Sequence, residues 1–187
     1  MKNITAWLCT AVFLLTSCVS QKPIRKLSEV SDAFLGLQIN EIDRLIEATT
    51  VENRDIKSLS VYYLCAFITH LQTKKITKQF TAEKKAAEIE KITHHLEKVF
   101  SLQKDFNIRC LCLHGISLAP SESGFDLIST ALEDSDNTVR DSALISLKKF
   151  LVNEKYRTEP VKNRLLAMLK TAQPPLLYRV IDNLACF

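Results

Sequence analysis

Glycine is scarce in this chain, which has 187 residues and only three glycines, Gly36, Gly115 and Gly124. A phosphate-binding loop needs several glycines within a few residues, and these three are far apart. The sequence also lacks the G-x-S-x-G pattern of a hydrolase nucleophile and the H-E-x-x-H pattern of a zinc protease. The absent patterns are those by which many nucleotide-binding and hydrolytic enzymes are recognised, so the sequence favours a protein that is not an enzyme.

Residues that break helices are also few, because five prolines are added to the three glycines. Leucine, isoleucine, alanine, lysine and glutamate are abundant by contrast. Sheet proteins need many tight turns, which glycine and proline usually supply. The composition therefore predicts an all-α fold.

No strong excess of charge of either sign is present, with 25 lysines and arginines against 21 aspartates and glutamates. The two signs alternate along the chain, as on a solvated helical surface. A nucleic-acid-binding protein would show a concentrated basic stripe, so we expect no nucleic-acid partner. The densest basic segment contains Lys74, Lys75, Lys78, Lys84 and Lys85. It is either a solvated loop and helix start, which glutamates nearby favour, or a contact for anionic lipid headgroups.

Histidine and cysteine do not occur at the spacings of a metal site. His94 and His95 are adjacent and would diverge by about 100° on a helix, while Glu90 and His94 supply only two ligands. We therefore expect no metal, no cofactor and no small-molecule substrate. Outside the first 18 residues the cysteines are Cys65, Cys110, Cys112 and Cys186. Disulfides between them are possible in an exported protein, but apolar packing is the favoured interpretation.

Long apolar runs are absent as well, and the most apolar stretch covers only residues 4–15. A transmembrane helix needs about 20 apolar residues. Lys2 precedes this run, and the polar residues Gln21 and Lys22 follow shortly after it. A short basic start before a short apolar core predicts a secretory signal peptide over residues 1–17.

The end of this run, Leu15-Thr16-Ser17-Cys18, resembles the lipobox of bacterial lipoproteins. The resemblance implies cleavage before Cys18, a diacylglycerol thioether on its sulfur and an amide-linked acyl chain on the new amino terminus. Two or three acyl chains hold a protein stably on a membrane, whereas one does so only marginally. The alternative is a buried cysteine at the end of an N-terminal core helix. We expect residues 18–27 to be a lipidated tether and residues 28–187 to be the folded domain.

The expected location is the bacterial cell envelope, with the protein facing the periplasm or the exterior. Val19 follows the predicted lipidated cysteine. It is not the aspartate that, by resemblance to enteric lipoproteins, retains a protein at the inner membrane. This favours the outer membrane slightly.

Eight helical patterns follow the tether. Ser28 is the predicted cap of the first helix, whose apolar stripe extends from Phe34 to Ile46. The others are predicted over residues 54–71, 82–102, 106–118, 121–133 and 138–152, then from Thr158, and after Pro174-Pro175 to the end of the chain. Pro160 would lie in a first turn, where proline is tolerated.

The stretch Leu132 to Leu151 resembles a HEAT repeat, in which two antiparallel helices form one unit. Asp134 and Asp136 would lie in the tight turn, and Arg140 would begin the second helix beside Val139. The resemblance implies that the aspartates cap that helix and that the arginine reaches backbone carbonyls or the acidic turn of a neighbouring unit. Ile108-Arg109 matches Val139-Arg140 at an offset of 31 residues.

Two further matches, at Ile56 and at Leu176, are weaker, and Leu177 replaces the arginine in the last. The preferred architecture is a short α-solenoid of about four antiparallel helical hairpins, HEAT-like or of the armadillo type. An irregular helical bundle is the alternative, because the step from Ile56 to Ile108 exceeds the period of the family.

The resulting hypothesis is a lipid-anchored, non-enzymatic module that binds or scaffolds another protein, since helical stacks offer long surfaces for partners. The alternative is a structural or envelope-maintenance subunit of a larger membrane complex. The membrane is the expected partner through the lipid on Cys18, together with another protein.

Overall fold

A computed structural model of the chain describes residues 23–35, 39–75, 77 and 80–187. Helices dominate these residues, and no strand occurs among them, so the predicted all-α fold is confirmed. The predicted signal peptide, Cys18 and residues 19–22 of the predicted tether lie outside the described residues. None of the helices in the described ranges is long and apolar enough to cross a membrane.

The helices are, in chain order, α1 (Leu27–Leu35), α2 (Asn40–Ala48), α3 (Arg54–Thr73), α4 (Ala82–Leu102), α5 (Phe106–Leu118), α6 (Glu122–Ala131), α7 (Asn137–Leu151), α8 (Glu159–Leu169) and α9 (Leu176–Leu184). A short 3-10 turn, Glu154–Tyr156, follows α7.

The first predicted helix is divided in two by the structure. The apolar residues Phe34, Ile42 and Leu45 belong to α1 and α2, and the helix begins at Leu27 rather than after Ser28. Glu29 caps this start, because its carboxylate accepts hydrogen bonds from the backbone N–H groups of Arg25 and Lys26 at 2.8 and 3.3 Å. The prediction of one helix capped by Ser28 was therefore wrong.

The helices pack in two layers. In one layer α1, α3, α5, α7 and α9 each contact the next, and in the other α2 contacts α4 and α4 contacts α6. Between the layers, α2 packs on α3, α4 on α5, α6 on α7 and α8 on α9. These pairs are the four hairpins of the domain, numbered here from the N-terminal side.

Neighbouring helices of the first layer run in the same direction. At the start of α3 and α5, Arg54 pairs with Asp105, and at their ends the Gln72 amide donates to the Leu118 carbonyl at 2.6 Å. Farther along the layer, the Asn183 amide of α9 donates to the Leu144 carbonyl of α7 at 3.1 Å. The two helices of each hairpin are joined by a short connection, residues 49–53, 103–105, 132–136 and 170–175 in turn, so they run in opposite directions.

A continuous apolar core lies between the layers, and its largest buried side chains include Phe67, Phe150, Leu64 and Leu113. Gly115 marks the closest approach of three helices. A Cβ atom at that position would lie 2.5 Å from Leu96 Cδ1 of α4 and 2.6 Å from Cys65 Sγ of α3. The absence of a side chain at Gly115 thus permits the first two hairpins to pack this closely.

Candidate protein-binding surface

The first residues of α3, α5 and α7 lie along one edge of the domain, and each helix has the same cap. The cap residues Asn53, Asp105 and Asp136 stand three positions before the buried residues Ile56, Ile108 and Val139. Their side-chain oxygens accept from backbone N–H groups at 3.0 and 3.0 Å, at 2.9 and 3.3 Å, and at 2.7 and 3.4 Å respectively. Asp136 is thus a cap, as the sequence predicted.

The hydrogen bonds that Asp136 accepts also affect its acidity. The backbone N–H of Thr138 is the main cause of a lowered pKa for this carboxyl, with smaller contributions from the Thr138 hydroxyl and the Val139 N–H. The carboxylate is therefore ionised near neutral pH, and its charge faces the positive end of the α7 dipole.

Arg109 and Asp134 form an ion pair between the second and third hairpins. Only 20% of the Arg109 side chain and 7% of the Asp134 side chain are exposed. The guanidinium also lies 4.6 Å from the centre of the Phe100 ring, and the second carboxylate oxygen of Asp134 accepts from the Asp136 N–H at 2.9 Å. Arg109 therefore reaches the acidic turn of the neighbouring hairpin.

Arg140 is positioned differently from Arg109, although the two residues match in the sequence. Its guanidinium donates to the carbonyls of Asp134 and Ser135 and to the side chain of Asn137, all within its own turn. The following interhelical turn, residues 170–175, contains no carboxylate. Arg140 therefore has no acidic partner in the fourth hairpin comparable to the one that Asp134 provides for Arg109.

A cleft of about 790 Å³ opens at this edge between the third and fourth hairpins, and we call it the turn cleft. Its lining combines polar and apolar residues: Leu132, Glu133, Asp134, Asn137, Thr138, Arg140, Asp141, Met168, Thr171, Ala172, Gln173, Pro174, Pro175 and Leu176. Glu133 pairs with Arg164 at 2.9 Å, and Asp141 pairs with Arg179. Glu133 and Asp141 are thus held in place by partners on the fourth hairpin.

Three exposed apolar side chains, Ile145, Tyr178 and Ile181, lie on α7 and α9, two helices that also contribute residues to the cleft, and we call them the α7–α9 patch. Their exposed fractions are 43%, 68% and 51%. Ile145 follows the cleft residue Asp141 by one helical turn, whereas Tyr178 follows the cleft residue Leu176 by two positions and points to a different side of α9. The ion pairs of α7 with Arg179 and Asp182 keep the two helices side by side.

The turn cleft combines charged, hydrogen-bonding and apolar side chains. The turn cleft is lined by neither histidine nor cysteine, the usual proton-transfer and thiol groups. Across the residues that the structure describes, no group of three histidine, cysteine or acidic side chains is arranged to hold a metal ion. Paired charges around an apolar floor can hydrogen-bond a polar chain and bury its apolar side chains.

The four remaining cysteines form no disulfide with one another in the described structure. Cys65 and Cys112 are buried, and Cys110 and Cys186 are half-buried. Burial raises the pKa of the Cys65 thiol to about 12, and burial also raises the pKa of Cys112. This agrees with the expectation that the cysteines are packing residues.

Sequence reasoning identified Asp134, Asp136, Arg109 and Arg140 but missed Asp141, Arg179 and the α7–α9 patch. One signal for the patch was available in the sequence of α9, residues 176–184. Its apolar residues Leu176, Leu177, Tyr178, Val180, Ile181 and Leu184 cover more than one helical face. A helix at the end of a stack can bury only one such face, so the surplus must be exposed.

Comparison with known proteins adds no family to these observations. No family model matches the chain, and no curated protein has significant similarity to it.

Proposed function

We propose that the chain is a lipid-anchored protein of the bacterial cell envelope that binds or scaffolds another protein and has no catalytic activity. The lipid would be attached to Cys18, and the helical domain would be a short HEAT-like solenoid. Support for the solenoid comes from the parallel first layer, the four hairpins and the caps repeated at Asn53, Asp105 and Asp136.

The observation that carries the binding proposal is that α7 and α9, which contribute residues to the turn cleft, also expose the apolar side chains of the α7–α9 patch. Exposed aromatic and aliphatic side chains next to satisfied polar groups are the usual composition of a protein interface. Pre-arranged ion pairs lower the cost of ordering the site when a partner binds. A partner would insert an extended segment into the cleft and pack on Tyr178 and Ile181.

Replacing Tyr178 and Ile181 with alanine tests this surface. Removing such interface side chains should weaken partner recovery about tenfold or more, since each 1.4 kcal/mol is a factor of ten. The measurement is quantitative co-purification from detergent-solubilised membranes after in vivo photo-crosslinking. Leu102→Ala and Val152→Ala are matched controls, because these residues are 70% and 76% exposed and lie outside the cleft and patch. Equal recovery from all variants would refute the assignment of this surface.

The identity of the recovered partner separates the main proposal from its alternative. A soluble exported ligand supports a binding module, whereas a stable complex with envelope-assembly components supports a structural or envelope-maintenance subunit.

The anchor has its own test, which uses Cys18→Ala. We expect the native chain to begin at a lipidated Cys18, and the variant to lack the lipid and the lipobox-dependent cleavage. Mass spectrometry of membrane-extracted protein measures both. A native chain that begins at Met1 or has an unmodified Cys18 would contradict the lipoprotein proposal.

A further inference from the structure

We infer that a shallow groove between α1, α3 and α5 is a membrane-contact surface that rests on the headgroup region of the bilayer. The groove has a volume of about 360 Å³ and is lined by Leu27, Asp55, Ser58, Leu59, Tyr62 and Leu111. We call it the α1–α3 groove. The inference rests on the proposed lipid anchor and adds to it the orientation of the domain on the membrane.

Two apolar side chains of the groove are exposed although α1 is firmly held, while Leu59 and Leu111 are partly buried against the core. Leu27 is 46% exposed and Tyr62 is 54% exposed. Behind them, the Phe34 ring stacks on Tyr63 with a centroid distance of 4.4 Å, and the hydroxyls of Ser31 and Tyr63 are 3.3 Å apart. The groove is therefore a preformed part of the domain surface.

The length of the chain between the lipid and the domain limits where the groove can be. Ile24 is only 1% exposed, so the chain is fixed to the domain from this residue onward. Six peptide units separate Cys18 from Ile24, and they span at most about 22 Å when fully extended. Leu27 follows Ile24 by three residues. A lipid on Cys18 therefore keeps the groove close to the bilayer whatever else the domain binds.

This short tether favours the bilayer over a protein as the occupant of the groove. Tethering makes contact with the membrane intramolecular, so even a weak apolar surface is occupied at the resulting effective concentration. Tyrosine suits this position because its ring is apolar and its hydroxyl remains hydrated among the headgroups.

Charges around the groove set the depth of the contact. Arg25 and Lys26 are exposed immediately before Leu27, where anionic headgroups would attract them. Asp55 lines the groove and would oppose deeper insertion into the acyl chains. The contact therefore lies at headgroup depth.

The basic segment at the other end of α3 would produce a different orientation. Lys74 and Lys75 follow the last residue of α3, a helix of 20 residues that is about 30 Å long. Docking through the lysines would raise Tyr62 away from the bilayer, so the two orientations are distinguishable at a single position.

A single tryptophan can report the contact, because the only tryptophan of the chain is Trp7, within the predicted signal peptide. Tyr62→Trp introduces the probe into the groove, and Tyr178→Trp introduces the control into the exposed α7–α9 patch. The full chain, matured in cells and extracted in detergent, is reconstituted into vesicles of phosphatidylethanolamine and phosphatidylglycerol brominated near the acyl carbonyls. Because the groove probe would lie at headgroup depth, we expect its emission to shift to the blue and its quenching to exceed that of the patch control about twofold or more.

Adding Leu27→Ser to the Tyr62→Trp variant should reduce that difference, whereas adding Leu102→Ser should leave it unchanged. Equal quenching of the groove probe and the patch control would overturn the inference. Loss of the groove-probe signal on replacing Lys74 and Lys75 with glutamate, with no effect of Leu27→Ser, would also overturn it in favour of the lysine end.

Mass spectrometry of the same sample separates the groove from the anchor on which it rests. An unmodified Cys18 refutes the anchor and the groove together, whereas a lipidated chain with an unquenched groove probe refutes the groove alone.

Discussion

The ion pair between Arg109 and Asp134 connects two hairpins through side chains that are mostly removed from water. Removing one member of such a pair leaves the other charge buried without its partner, which costs more than the pair itself contributes. Arg140 holds backbone carbonyls of its own turn instead. Arg109 thus connects two hairpins, whereas Arg140 holds a single turn together.

Alanine substitutions test this difference. Because Asp134 would lose its partner, we expect Arg109→Ala to lower the free energy of unfolding by about 3 kcal/mol. Arg140→Ala should cost less, about 0.5–1.5 kcal/mol, since it removes hydrogen bonds to acceptors that are exposed or only partly buried. Urea unfolding gives both values. Lys149→Ala is the control for a change at an exposed position of α7, where changes usually stay within about 0.5 kcal/mol, and Lys148→Ala is the control for loss of an exposed ion pair, since Lys148 pairs with Asp182 of α9. Arginine variants no more sensitive than the lysine variants would favour a bundle in which the sequence match has no structural counterpart.

The sequence predicted two kinds of contact for Arg109 and Arg140, with backbone carbonyls or with the acidic turn of a neighbouring unit, but not which arginine makes which contact. Arg109 and Arg140 occupy equivalent positions after the caps Asp105 and Asp136, so a spacing argument treats them alike. Their contacts differ because the turn of the fourth hairpin lacks an acidic residue. The sequence shows that residues 170–175 contain no acidic residue. Its importance for Arg140 becomes clear only from the structure, which shows that this turn is the one beside Arg140.

Among the helices, α3, α4 and α5 pack most closely where Gly115 faces Leu96 and Cys65. Alanine normally stabilises a helix relative to glycine by about 1 kcal/mol. Here the added methyl group would overlap two neighbouring side chains, and overpacking of this kind costs about 1–3 kcal/mol.

We therefore expect Gly115→Ala to lower the free energy of unfolding rather than raise it, as measured by urea denaturation. Combining it with Cys65→Ala removes one of the two obstructing atoms, so the double variant should lose less stability than the two single changes added together. Strict additivity, or a stabilised Gly115→Ala variant, would contradict the close approach of these helices.

Helix boundaries were predictable where a capping residue precedes a clear apolar period. The predicted limits of α4 and α5 agree with the structure, and Thr81 and Asp105 cap these two helices. The division between α1 and α2 was not predicted, because the apolar residues on either side continue one helical stripe. Gly36 was the sequence signal for a break, and a single glycine within a helical pattern is a weak one.

At the scale of the whole molecule, each hairpin contacts mainly its neighbours along the chain. In such an arrangement stability is close to a sum of hairpin and interface contributions. A bundle with one shared core unfolds as a single unit, so the removal of any helix would instead destabilise the whole fold.

Deleting residues 159–187, which contain α8 and α9, distinguishes these two cases. We expect the shortened chain to remain helical by circular dichroism and to unfold at a lower urea concentration, because α7 loses only the contacts of Val180 and Asn183 and their neighbours. The complementary deletion of residues 23–53, which contain α1 and α2, should have a similar effect. A shortened chain without helical signal would support the bundle.

Function was less predictable than fold for a physical reason. Helix formation depends on periodicity and caps that are local in the sequence. The turn cleft instead brings together residues from the turn before α7, from α7, from the end of α8 and from the connection that leads into α9. Neither Tyr178 nor Ile181 differs in type from a core residue, and only the packing of α9 on α7 and α8 shows that they are exposed.

The position of Cys65 has a consequence for how such a chain would mature in an oxidising compartment. Its sulfur lies 3.5 Å from the Leu111 carbonyl, so the thiol becomes enclosed when α5 docks on α3. Once enclosed, it holds too little thiolate to exchange with disulfides at an appreciable rate. The Cys65 thiol is therefore open to disulfide exchange only until the two hairpins, which are adjacent in the sequence, have associated. Helical proteins dominated by such short-range contacts fold within about microseconds to milliseconds. If the chain is delivered unfolded across a membrane, as proposed, the order of its hairpins would thus protect Cys65 from mispairing without any disulfide.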